Sequence, residues 1–64
     1  MSLKTDPNLE NPDAFYADRL AAHNGLSDAD SHALNAQLVL ILANHIGDGD
    51  TLRAALTLAR EGFS

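Results

Sequence analysis

The sequence predicts a small all-α domain: three helices with a long central one, expected to be completed by self-association. Three observations predict it. Each helical stretch opens on a capping residue and closes on a glycine, apolar residues between those marks recur at three- and four-residue spacing, and the central stretch is apolar on more than one side. The chain has 64 residues, room for one domain. A chain of this size buries only about 60% of the surface its unfolded form exposes. Such scaffolds compensate with disulfides, a metal, oligomerisation or close helix packing. Cysteine is absent, which removes disulfides, thiolate metal sites and cysteine nucleophiles together.

Residues 1–10 carry Asp6-Pro7-Asn8 and no helical period, so they read as a flexible or loosely docked arm with Leu9 as its one core-touching residue. The domain proper spans 11–64. Asn11-Pro12-Asp13 is a helix start, with a cap, a proline in the first turn and an acid at the positive end of the dipole. This helix is expected over about 12–24, stopping at Gly25, with Leu26 folding back on Leu20. Ser27 caps a second helix over 28–46, about 28 Å long and closed by Gly47. Asp30 stands where a full capping box has Glu or Gln, so the box is imperfect. In Asp48-Gly49-Asp50, either acid suits the cap of a third helix over about 51–61. Gly62 ends it, and Phe63 falls within reach of Leu58.

The first helix carries Phe15, Tyr16 and Leu20 in one sector. The third carries Leu52, Ala55, Leu56 and Ala59, an ordinary core stripe. The second differs. Leu34, Leu38, Ile41, Leu42 and His45 form one stripe, with Val39 and Ile46 flanking it. Ala33, Ala36, Leu40 and Ala43 form another, well round the cylinder. Helices one and three could sandwich helix two within one chain. Alternatively, the alanine-rich seam lets two copies of helix two approach closely. The marginal core favours the second, so Ala33, Ala36, Leu40 and Ala43 are the expected interface, with a homo-oligomer or a larger protein as partner.

The net charge is −5, from four Lys and Arg against nine Asp and Glu. Lys4, Arg19, Arg53 and Arg60 are dispersed. Phosphate binding needs them clustered, so neither nucleic acid nor an anionic membrane is an expected partner. Helices two and three superficially form a helix-turn-helix, but the connector is acidic and would repel phosphate. Apolar residues make up 45% of the chain, enough to argue against disorder. The N-terminus lacks the apolar stretch of a signal peptide, and the longest apolar run, Leu38 to Ala43, is far short of a membrane span. A cytoplasmic location is the expectation.

Candidate chemistry is sparse. Asp28 and His32 stand four apart on one helix face, and His23 lies a short turn away, so the three are candidate ligand-binding residues. No HExxH-type spacing accompanies them, and a solvated Asp–His pair is the simpler reading, so no metal is assigned. His45 near the end of helix two suits the negative end of the dipole and reads as a core or capping histidine, with a ligand role as the alternative. Asn35 and Asn44 need hydrogen-bond partners if buried, and across two subunits such a bond would set register. Asp48-Gly49-Asp50-Thr51 opens like a calcium loop but lacks the later ligands, so it reads as a capped turn. Ser27 and Ser31 lie near His32 and acids, yet no oxyanion-hole motif or pocket-forming sheet supports a triad. No catalytic residue, cofactor or enzymatic activity is expected.

The run from Asp30 to Asp48, and within it Leu40-Ile41-Leu42-Ala43-Asn44-His45-Ile46-Gly47-Asp48, resembles the central stretch of a family of short proteobacterial proteins, the domain of unknown function DUF2783. The resemblance covers nearly the whole chain and is least specific in the third helix. It implies a bacterial protein of a family without assigned catalytic residues, sometimes encoded beside enzymes of aromatic-compound breakdown. It also marks His32, Asn35, Asn44 and His45 for first inspection.

Overall fold

Side-chain caps set where each helix begins. The computed structural model describes residues 2–63. Among them are three helices, α1 (Pro12–Ala22), α2 (Asp28–Ile46) and α3 (Gly49–Arg60), and no strand. Asn11 Oδ1 accepts the Ala14 N–H at 3.1 Å, and Ser27 Oγ accepts the Asp30 N–H at 3.2 Å. Asp48 Oδ2 accepts the Thr51 N–H at 2.9 Å. Each bond satisfies one of the donors that a helix start leaves unpaired. Asp48 is therefore the cap of α3, and the helix starts at Gly49, earlier than Thr51.

The three ends differ. Gly47 closes α2 with φ +74° and donates its N–H to the Ala43 carbonyl at 2.9 Å, the left-handed stop expected there. Helix α1 ends at Ala22, short of Asn24. Its last turn tightens into three-residue hydrogen bonds from His23 to Leu20 and from Asn24 to Ala21. Gly25, at φ +78°, then turns the chain beyond the helix rather than at its end. In α3 the cap is Glu61, whose N–H donates to the Thr57 and Leu58 carbonyls, and Gly62 keeps a negative φ. A tightened last turn replaces the expected glycine stop. Leu20, Leu26, Leu58 and Phe63 all remain exposed, so neither expected end contact buries its side chains.

Packing is open. Only α2 and α3 pack on each other, and α1 packs on neither. No apolar residue among those described is buried; the one buried residue is Thr51, at 6% exposure. The intrachain sandwich of α2 between its neighbours therefore does not form. The radius of gyration is 13.5 Å. A compact domain of this length would have about 10.7 Å. In the arm, Leu9 is exposed, while Leu3 is half-buried and shares a shallow hollow with Asp50, Thr51 and Ala54 at the start of α3. The arm's anchoring residue is thus Leu3 rather than Leu9.

Candidate functional site

Two apolar surfaces meet on α2. The first is the seam. Ala33 and Ala36 are exposed, and Leu40 is 70% exposed, the largest fraction along α2 for a big aliphatic side chain. Ala43, the fourth seam position, is half-buried and also lines a groove between α2 and α3. Successive helix positions advance by about 100°. Ala43 therefore stands at the edge of the seam and can line both surfaces.

The groove is the second surface. Val39, Leu42, Ala43 and Ile46 line it from α2, and Leu52, Ala55, Leu56 and Ala59 from α3. Its volume is about 390 Å³, and every lining residue is apolar. The local cause is the short connector. With Gly47 left-handed and Asp48 capping α3, the core stripe of α3 is brought to face the last turns of α2. Three alanines line the groove, and small side chains leave space that larger ones would have closed. Leu56 is 69% exposed, so α2 does not cover it. The α3 stripe, which its spacing marks as core, lines this open groove instead. The alanine content of both helices was the available sign that the two would leave a gap.

The polar candidates do not converge. Among the described residues no three of His, Cys, Asp or Glu are gathered where they would hold a metal ion, so His23, Asp28 and His32 form no three-ligand set. Asp28, His32 and His45 are exposed, and so are Asn35 and Asn44. His23 is half-buried, and its ring Nε2 is shielded from solvent without a hydrogen-bond partner. Leaving such a group unsatisfied costs about 1–3 kcal/mol. The connector at Asp48 is a capped turn, as its sequence suggested. One Asp48 oxygen accepts both the N–H and the hydroxyl of Thr51, and the Thr51 hydroxyl is the larger influence holding the Asp48 carboxyl below the usual aspartate range. Arg53 and Asp50 form an ion pair at 2.9 Å on the outer surface, where such pairs contribute about 0–1 kcal/mol.

The family model described as "Protein of unknown function (DUF2783)" matches residues 3–61. The chain belongs to the DUF2783 family. The match takes in all of α1 and α2, and α3 through to its cap; it begins at Leu3, the arm residue seated beside α3. Searches of curated proteins and of solved structures return no match to this DUF2783 chain. No helix among its described residues is long and apolar enough to cross a membrane.

Proposed function

We propose that this DUF2783 chain is a small helical protein-interaction module that completes its fold by self-association and has no catalytic activity of its own. One observation carries the reading: the surface the single chain leaves open. A compact monomer of this mass exposes about 4,000 Å². This chain exposes 5,672 Å². The excess, roughly 1,700 Å², is well above the ~800 Å² per partner of a standard stable interface. It falls in the range of subunits that fold only together. Ordering a residue costs about 1–2 kcal/mol, and burial of apolar side chains is the main term that offsets it. Among the described residues of the lone chain no apolar residue is buried.

The proposed interface is the surface running from Ala33 and Ala36 through Leu40 to Ala43. Mounting a larger enzyme on the same surface is the variant reading, with this chain as an accessory subunit. A ligand- or metal-binding role for His23, Asp28, His32 or His45 has less support, since the first three do not gather. Light scattering on the wild-type chain and on Leu40→Asp tests the proposal. The wild type is expected to be an oligomer and Leu40→Asp a monomer or largely unfolded. A wild-type monomer throughout the accessible concentration range ends it.

A further inference from the structure

We infer, resting on the self-association reading, that the groove between α2 and α3 is the seat for a second copy of this chain. The Leu40 ridge of each copy enters the groove of the other about a two-fold axis. A two-fold contact uses one patch twice, so that patch must carry both a projection and a recess that fits it. This surface has both. Leu40 projects from α2 less than one turn from Ala43, and Ala43, Ala55 and Ala59 keep the neighbouring groove wide enough for a large aliphatic side chain.

Among the described residues, the chain's own segments do not fill the groove. Helix α1 has 11 residues, about 16 Å of rise, and joins the far end of α2 through the turn at residues 23–27. The near edge of the groove, Val39, lies 11 residues beyond Asp28, about 16 Å along α2. Folded back on α2, α1 would bring Phe15 only about 10 Å from its tethered end. It falls short of the groove. The arm is engaged elsewhere, with Leu3 beside Thr51.

Charge favours a like chain over a basic partner. Each copy carries −5, so two copies repel except through a face free of that charge. Residues 31–47 contain no Asp, Glu, Lys or Arg, and the groove lining from α3 has none either. A basic partner would gain nothing from such a lining. The excess exposed area of roughly 1,700 Å² per chain is also more than one standard interface requires.

The chain has no cysteine, so paired single-cysteine variants report the contact without background. Leu40→Cys and Ala55→Cys chains, mixed, allowed to exchange subunits and oxidised, should give several-fold more covalent dimer than either variant alone. They should likewise exceed a mixture of Asp18→Cys with Ala55→Cys. Wild-type chains, half of them isotope-labelled, should show intermolecular Overhauser effects between the Leu40 and Ala55 methyls, which decides the matter if a cysteine variant fails to fold. An oligomeric wild type lacking both signals overturns the groove seat and leaves self-association standing. A monomeric wild type overturns both.

Discussion

One carboxylate oxygen of Asp48 holds Thr51 twice, accepting its backbone N–H and its hydroxyl. Thr51 is the only buried residue among those described, so this pair fixes the α2–α3 corner from which both sides of the groove extend. Both hydrogen bonds lower the pKa of Asp48. The contribution is therefore fully present above the usual aspartate value, about pH 4, and is lost as pH falls through the lower folded value. Wild type should lose more melting temperature between neutral pH and about pH 2 than Asp48→Asn, which caps without a titrating charge. Equal losses in thermal melts would show that the pair does not stabilise the corner.

Two glycines flanking Asp48 should respond in opposite directions to alanine. Gly47 has φ +74°, and an added Cβ would meet only the Asn44 carbonyl oxygen at 3.9 Å, so the penalty is conformational rather than steric. Gly47→Ala should cost about 1–2 kcal/mol. Gly49 has an ordinary φ and open space around it. Gly49→Ala should stabilise by about 0.4–1 kcal/mol. In a domain of this size, 1 kcal/mol corresponds to about 4–8 °C of melting temperature, readily seen by circular dichroism.

How much of this was legible in the sequence varies by level. Asn11, Ser27 and Asp48 could be read as caps because capping depends on local residue type, and Gly47 as a stop for the same reason. The end of α1 was less legible, because three-residue hydrogen bonds at His23 and Asn24 closed the helix before Gly25 was reached. Packing was harder still. The stripes were visible, but which stripe meets which depends on the angle set at the connector, and no single residue encodes that. Hence the seam alone does not reveal that Ala43 also faces Leu56 across the groove, and the arm's lack of periodicity does not single out Leu3 over Leu9. The scattered histidines were legible as candidates, but only coordinates could show that they do not converge.

Thermal stability should depend on protein concentration. A chain whose fold is completed by a second copy is stabilised by mass action, so its melting temperature rises with each dilution step reversed. Melts over a hundredfold concentration range should show a steady upward shift, and a constant value would mean that the single chain folds without help.

Zinc should leave the protein unchanged. With His23, Asp28 and His32 forming no three-ligand set, titration of Zn²⁺ into the chain should give no saturable heat and no rise in melting temperature. A stoichiometric heat signal that disappears in His32→Ala would restore the ligand-binding reading.

The seating of Leu3 bears on how the protein should be produced. Because Leu3 lies beside Asp50, Thr51 and Ala54, an affinity tag fused just upstream would crowd the first turn of α3. Such a fusion would perturb the same corner that Asp48 secures, and sizing columns run on it would report on the tag as much as on the chain. Purification handles belong at the other terminus, beyond Phe63.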